Sequence, residues 1–269
     1  MAVKKENIAL EFERLPTRDL TFHILGTSPI ILNRQSEKAK RQILMGSERK
    51  NAAEKAQSLK HNPIEEYRAS AYRNRDVNAP TLLHLPEGMF KKALSTAALD
   101  TPGATKTQIG RLVSPTSMNI NLWGIPYLKA DMVRQADMKK TPDVRFRACI
   151  VQWATKIEFT FASSIIKPQS IMNLLGNAGI FCGIGDYRVE KGAGSFGKFD
   201  VVNSDDPEWN AIVESGGREV QLAAMETPQY YDDETQELVE WFNEEVGRRA
   251  NRASSAAAVR VKKGSELTQ

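Results

Sequence analysis

The chain has 269 residues, of which 41% are hydrophobic and 26% charged, so it can bury a core of one large or two small domains. Its longest apolar stretches are far shorter than the roughly 20 residues that span a bilayer, and residues 1–6 lack the apolar segment of a signal peptide. Two cysteines and three histidines argue against a disulfide framework and against a metal centre. We therefore expect a cytoplasmic protein with no membrane segment, no metal and no cofactor.

The net charge of +4 hides a strong asymmetry along the chain. Residues 34–75 contain 11 Lys/Arg against 5 Asp/Glu, and residues 103–149 contain 8 against 3. Residues 203–246 contain 1 against 13, and residues 247–269 contain 6 against 1. A local field, rather than the total charge, attracts a polyanion. Two basic stretches flanking one core therefore favour nucleic acid as the partner over a merely solvated surface.

The first half of the chain predicts two strands, a helix and a basic insertion. Residues 19–25 alternate between apolar and polar side chains and predict the first strand. Residues 34–75 have only a thin apolar stripe, which is typical of a peripheral, largely helical arm. Residues 81–85 predict a short strand, and residues 88–99 carry apolar side chains at helical spacing and predict the first core helix. Residues 100–117 are rich in Pro, Gly, Ser and Thr and predict a loop.

The second half predicts three more strands and a second core helix. Residues 118–128 predict a strand, and the polar, mostly basic residues 131–147 predict a projecting finger. Residues 151–161 alternate clearly, with Val151, Trp153, Ile157, Phe159 and Phe161 on one face, which is typical of a half-buried antiparallel strand. Residues 168–178 predict a helix that starts at a proline and ends at a glycine, and residues 196–202 predict the last strand.

This order predicts an α+β fold with a ferredoxin-like or RRM-like β-α-β-β-α-β core, basic insertions and a C-terminal helical extension. The core with its insertions would occupy residues 1–202. An appended acidic module would follow at residues 203–250, where residues 219–225 could add a strand and residues 233–250 form a helix. The small, polar and basic residues 251–269 predict a disordered tail.

The most informative motif is the run of residues 183–199, which places five glycines and three cations between a helix and a strand. Glycine admits left-handed backbone angles and lets N–H groups approach phosphate oxygens, so the run predicts a backbone-contacting loop. Arg188, Lys191 and Lys198 would supply the countercharge. The alternative is a mobile hairpin whose glycines only make turns.

Three of these glycines, Gly192, Gly194 and Gly197, match the Gly-x-Gly-x-x-Gly pattern of dinucleotide-binding proteins. That pattern requires a strand before it and a helix after it, whereas here a strand follows. The lysine strand, catalytic loop and metal site of protein kinases are also missing, as is a Gly-Lys-Ser/Thr phosphate loop. A mononucleotide cofactor is therefore not predicted.

The order of elements, with a glycine-rich loop before the last strand, resembles the RAMP superfamily of repeat-associated RNA-binding proteins of CRISPR systems. Residues 83–98 look like that family's strand, Pro-x-Gly turn and basic first helix, and residues 185–199 look like its glycine-rich loop. The resemblance covers residues 19–202 in organisation and implies binding of a strand by an oligomer, as in the subunits that polymerise along a guide RNA. A phage or mobile-element origin fits equally well. Ala193 and Ser195 stand where RRM proteins carry base-stacking rings, so stacking of that kind is not predicted.

Two other classes of function remain open. The processing endonucleases of the same superfamily use a histidine, for which His23 in the first strand is the candidate, and some backbone subunits cut RNA with an arm aspartate and a metal, for which Asp76 is the candidate. A structural protein could instead self-assemble without nucleic acid, if the acidic residues 203–246 contact the basic arms of a neighbouring copy.

The sequence thus predicts a non-enzymatic protein that binds single-stranded RNA or DNA, largely independently of sequence, and that assembles as an oligomer or filament along the strand. Backbone contacts of this kind should depend strongly on salt. No catalytic residue is assigned. The predicted contact residues are the glycines and cations of the loop, the first core helix and the two insertions: Gly185, Arg188, Lys191, Gly192, Gly194, Gly197, Lys198, Lys91, Lys92, Arg73, Arg75, Arg145 and Arg147.

Overall fold

The computed structural model of the protein describes residues 13–35, 37, 40, 44, 60–134, 141–191 and 194–266, with the side chains up to residue 249. The fold is α+β, as predicted, with antiparallel sheets and helices. The strands are β1 (Thr17–Gly26), β2 (Ile30–Ile31), β3 (His84–Pro86), β4 (Val113–Pro115), β5 (Asn119–Trp123), β6 (Pro126–Arg134), β7 (Pro142–Ile150), β8 (Ala154–Ala162) and β9 (Phe199–Val202). The helices are α1 (Pro63–Ser70), α2 (Glu87–Ala97), α3 (Lys106–Leu112), α4 (Pro168–Asn177), α5 (Pro207–Ser215), α6 (Arg218–Glu226) and α7 (Asp233–Glu266).

The main sheet has the order β3-β5-β8-β1-β9, and β4 also pairs with β8. β1 and β8 are antiparallel, with Leu20 opposite Phe159 and Phe22 opposite Ile157, so their apolar side chains share one face. That face forms the core with the buried side chains of α2 and α4. The predicted half-buried strand therefore exists, but it begins at residue 154, and Val151 is 41% exposed rather than buried.

A second sheet has the order β2-β7-β6 and is dominated by the long β6–β7 hairpin. The predicted finger, residues 131–147, lies in this hairpin, and residues 135–140 are outside the described residues. α1 fixes the hairpin because the Tyr67 hydroxyl donates to the Pro126 carbonyl (3.1 Å) and the Ala148 amide donates to Ser70 Oγ (2.8 Å). α1 lies near the end of the predicted basic arm, residues 34–75. Most of residues 36–59 are outside the described residues.

Several predictions of local structure are wrong. Residues 118–128 are not one strand but contain β5 and the start of β6, which belong to different sheets. Residues 100–117 are not all loop, since they contain α3, capped by Thr105 Oγ1 accepting from the Gln108 amide, and β4. Residues 219–225 are not a strand but lie in α6. The reason is Gln221, a fully buried side chain whose Nε2 donates to the carbonyls of Leu122 and Gly124 and whose Oε1 accepts from the Leu83 amide.

Side chains of α5, α6 and the first turns of α7 pack on the rest of the fold. α5 covers part of the second face of the main sheet, where Trp209 and Ile212 contact Leu25 and Ala154. The last helix, α7, includes residues 251–266, where composition predicts disorder. Among the described residues, no helix combines the length and the apolar character needed to cross a bilayer.

Candidate nucleic-acid interface

The glycine-rich loop is held by hydrogen bonds to itself and to the turn after β1. The Ile184 amide donates to the Gly197 carbonyl (2.9 Å), and the Phe196 amide donates to the Tyr187 carbonyl (3.2 Å). The Gly197 amide donates to the Pro29 carbonyl (2.7 Å). These N–H groups therefore already have partners within the protein and are not available to phosphate oxygens.

The glycines of the loop allow the chain to approach itself. A Cβ on Gly194 would overlap the carbonyl oxygen of Tyr187, and one on Gly197, at φ +70°, would overlap that of Ile184. Gly185, at φ +84°, would place a Cβ 2.8 Å from the Ile31 carbonyl oxygen. For these three glycines the absence of a side chain therefore serves close packing inside the protein, and their contact with a polyanion stays a prediction. Gly192 lies outside the described residues.

Three cations predicted from the sequence meet around a single carboxylate. Arg188 Nε donates to Glu190 Oε2 (2.7 Å), and Arg188 Nη1 donates to the Gly185 carbonyl (3.0 Å). Burial opposes the negative charge of Glu190, but the Arg188 hydrogen bond and the charges of Arg188, Lys92 and Lys191 outweigh burial and lower the pKa of Glu190. Thr96 Oγ1 lies 3.4 Å from Glu190 Oε1, so the α2 face that carries Lys92 faces the loop.

A cavity of about 370 Å³ lies where these elements meet. Its walls come from the first turns of α2, from the start of the glycine-rich loop, and from the segments after β2 and α1. The lining residues are Asn33, Tyr72, Pro86, Gly88, Met89, Lys92, Ala93, Gly183, Ile184, Gly185, Asp186 and Arg188. Of the predicted contact residues, the cavity therefore brings together Lys92, Gly185 and Arg188, and Lys191 lies beside it at Glu190.

Other predicted contact residues lie outside the cavity lining. Lys91 Nζ is 3.3 Å from Ser114 Oγ, on the side of β4. Lys198 is half-buried, and its amide donates to Ser28 Oγ (2.9 Å). Arg75 and Arg145 are exposed. Arg73 is directed back to the protein, because Nη2 donates to the Arg68 carbonyl (3.2 Å), and partial burial lowers its pKa.

Arg147 has a structural position, which corrects its prediction as a contact residue. It is only 2% exposed, and its guanidinium pairs with Asp131 (2.8 Å) and with Asp186. The guanidinium carbon also lies 5.2 Å from the Tyr187 ring centroid. Arg147 thus joins the β6–β7 hairpin to the glycine-rich loop, and its charge is neutralised by two carboxylates.

The second face of the main sheet, which an RRM-like protein would use, is not basic. The α5 side chain Trp209 covers one end of this face, where His23 packs edge-on at 4.7 Å between ring centroids. The rest of the face carries Asp19, Glu158 and Asp200 with Lys156. The predicted contact residues Lys92, Arg188 and Lys191 lie away from this face, around α2 and the loop.

Neither of the candidate catalytic residues, His23 and Asp76, lines the cavity. Burial, and then the charge of Lys156, lower the pKa of His23. Asp76 Oδ1 accepts from the Asn78 amide (2.9 Å) in a turn, and its carbonyl accepts from Arg218 (3.0 Å). No cluster of three or more His, Cys, Asp or Glu side chains that could hold a metal occurs among the described residues.

Sequence reasoning missed the residues that complete the cavity, Asn33, Tyr72 and Met89. Met89 was read only as part of the apolar stripe of the helix. Tyr72 stands in the segment predicted as a peripheral arm, residues 34–75, and Asn33 directly precedes it; nothing in their local pattern distinguishes them from the neighbouring polar residues.

Comparison with known proteins adds little to this geometry. No protein-family model and no curated protein matches the chain. Among solved structures, Cmr6 from Pyrococcus furiosus matches with 8% sequence identity and a TM-score of 0.36, over 70% of this chain and 98% of that one. A likeness this distant carries no conclusion about function, which must rest on the residues themselves.

Proposed function

We propose that the protein binds single-stranded RNA or DNA, largely independently of sequence, through the cationic surface around the cavity. The observation that carries this proposal is that Lys92 of α2 lies close to Arg188 and Lys191 of the loop. Lys92 is far from the two loop residues in sequence, so the fold brings these charges together. Lys92 and Lys191 are exposed, so they can reach a ligand. Phosphates of a flexible strand are the polyanion that such a surface attracts, and they carry no sequence information.

The same proposal includes a ferredoxin-like core of the RAMP type. α2 lies between β1 and β5 in the chain, and β8 separates these two strands in the sheet. α4 lies between β8 and β9, and β1 separates those two. Both units are split β-α-β motifs, which supports the ferredoxin-like arrangement. β3, β4 and the β6–β7 hairpin are additions to it.

Two further parts of the proposal concern catalysis and assembly. We infer a binder rather than a nuclease, because His23 packs against Trp209 and Asp76 holds a turn. We also propose assembly as an oligomer along the strand; contact of the acidic residues 203–246 with the basic arms of a neighbouring copy belongs to the structural alternative, which needs no strand. Mass photometry with strands of increasing length tests assembly: the number of copies bound should rise with length. A nuclease would instead shorten the labelled strand, and a protein that forms the same assembly without a strand would favour the structural alternative.

The binding test compares two double variants of equal net charge. Lys92→Ala with Lys191→Ala removes two cations at the cavity, whereas Lys156→Ala with Lys167→Ala removes two exposed cations elsewhere. Fluorescence anisotropy with labelled 20-nucleotide RNA and DNA, across a salt series, gives the affinity and its salt dependence. Loss of two phosphate contacts should make the slope of log K against log salt shallower by about 1.4, since each contact on a single strand contributes about 0.7.

We expect the cavity variant to bind weakly with this shallower slope and the control variant to bind like the wild type. Equal losses in both variants would mean that net charge alone attracts the strand. Absence of wild-type binding at low salt would overturn the proposed function.

A further inference from the structure

The cavity offers more than charge, because one part of its lining is aromatic and apolar. Tyr72, Pro86 and Met89 contribute to the same lining as Lys92 and Arg188. A surface that only followed a phosphate backbone would need no such wall. A combination of an apolar wall and a few charged groups is what pockets for small organic ligands have in common.

The Tyr72 ring is already held in position. It is half-buried, and its ring lies 5.9 Å from the His84 ring, measured between centroids. Its hydroxyl donates to the Asn33 carbonyl at 3.4 Å, a long hydrogen bond. Burial raises the pKa of Tyr72, against the charge of Arg34, so the hydroxyl stays neutral at physiological pH. A ring that is fixed before binding loses little conformational entropy when a flat ligand stacks on it.

The size and the neighbours of the cavity fit one nucleotide. Its volume of about 370 Å³ lies near the lower end of the range of about 300–1,000 Å³ that holds small ligands. A Cβ added to Gly88, on the first turn of α2, would meet nothing within 4 Å, so this wall is open. Bases of a single strand can leave the stack and pack on aromatic side chains, while cations hold the adjacent phosphates.

We propose that the cavity receives one base, unstacked from a bound single strand, with Tyr72 as its stacking surface and with the exposed Lys92 at the adjoining phosphate. This inference rests on the proposed function, to which it adds a site for one base. It differs from the base stacking of RRM proteins because the site lies at α2 and the loop and not on the open sheet face.

The site should accept any base. Two polar side chains of the lining are partly occupied within the protein: Asn33 Nδ2 donates to Asp186 Oδ2 (2.8 Å), and the same Asp186 oxygen pairs with Arg147. Stacking, in contrast, is available to every base because each has a π-face.

The test compares Tyr72→Ala with Tyr72→Phe on two ligands of the same length, a normal 12-nucleotide strand and an abasic strand that keeps the phosphates. Tyr72→Phe keeps the ring and should bind the normal strand like the wild type. Tyr72→Ala should bind it roughly 10- to 100-fold more weakly, the loss expected for one base–aromatic stack. Its affinity for the abasic strand and its salt dependence should equal those of the wild type.

Each other outcome overturns a different statement. If Tyr72→Ala binds the normal strand as tightly as the wild type, the base site is wrong and the proposed function stands. If Tyr72→Ala loses the same factor on the abasic strand, Tyr72 supports the fold of the surface and does not stack a base. If the wild type binds neither ligand at low salt, the proposed function itself fails.

Discussion

Gly197→Ala tests whether the loop glycines serve the fold or the ligand. The new Cβ would overlap the Ile184 carbonyl oxygen, and Gly197 has φ +70°. A left-handed conformation costs a residue with a Cβ about 1–2 kcal/mol. Moving the chain to relieve the overlap also strains two hydrogen bonds, from the Gly197 amide to Pro29 and from the Ile184 amide to Gly197, each worth about 0.5–1.5 kcal/mol. We therefore expect a loss of about 2–5 kcal/mol in the free energy of unfolding.

Gly176→Ala is the matched control. Gly176 lies in α4, where an added Cβ would meet nothing within 4 Å. Alanine is preferred to glycine inside a helix by about 0.5–1 kcal/mol, so this variant should be as stable as the wild type or slightly more stable. Urea denaturation followed by circular dichroism gives both free energies, and strand binding is measured by anisotropy on the same samples.

The result that would refute this reasoning is specific. If Gly197→Ala unfolds at the same urea concentration as the wild type but no longer binds a strand, the glycine is needed by the ligand. The packing of Gly197 against Ile184 would then not explain why glycine is needed there, and direct contact of the loop backbone with the strand, as expected from the sequence, would be the better explanation.

Three further predictions follow from buried or paired groups. Arg147→Met should cost about 1.5–3 kcal/mol of stability in urea denaturation, because Asp131 and Asp186 lose a charged hydrogen-bond partner while Asp131 keeps Lys129, and a loss under about 1 kcal/mol would contradict the ion-pair assignment. Glu190→Gln should bind strands a few-fold more tightly at pH 7, since a negative charge beside Arg188 is removed. Folding lowers the pKa of Glu190, so its ion pair stabilises the fold above the ordinary pKa of 4.5 and is lost as pH falls through the lower folded value. The melting temperatures of the variant and the wild type should therefore converge in that acidic range. Cys149 is buried, and burial raises its pKa to about 12, so thiol reagents should label it only after urea unfolds the protein; rapid labelling of the native protein would contradict its burial.

The elements with strong local periodicity could be predicted from the sequence. β8 and α4 were found because their apolar residues recur at the spacing of a strand and a helix over nine or ten residues. α6 was not, because Val220, Leu222 and their polar neighbours alternate over a short run that fits a strand, and both side chains are 41% exposed. The hydrogen bonds of Gln221 to two distant segments, one at Leu83 and one at Leu122 and Gly124, hold the helix, and no local pattern contains them.

The candidate site could be predicted only in part, for a related reason. The charge of Lys92, Arg188 and Lys191 is visible in the sequence, and so is the glycine-rich run that places two of them. Which cations remain available depends on carboxylates brought in by the fold. Asp186 stands close to Arg188 in sequence but pairs with Arg147, a residue of the β6–β7 hairpin, and no spacing rule connects the two.

The two sets of cations therefore have different physical roles. Arg147 is buried between Asp131 and Asp186, so its charge is neutralised locally and it fixes the position of the loop against the hairpin. Lys92 and Lys191 are exposed, so their field extends into the solvent, where a phosphate can meet it. Asp186 lines the cavity and also pairs with Arg147. The Arg147–Asp186 pair therefore helps to set the shape of the cavity, while the exposed cations give the cavity its positive charge. Loss of Arg147 would leave the Asp186 carboxylate uncompensated in the cavity lining, so the negative charge that a strand meets there also depends on this pair.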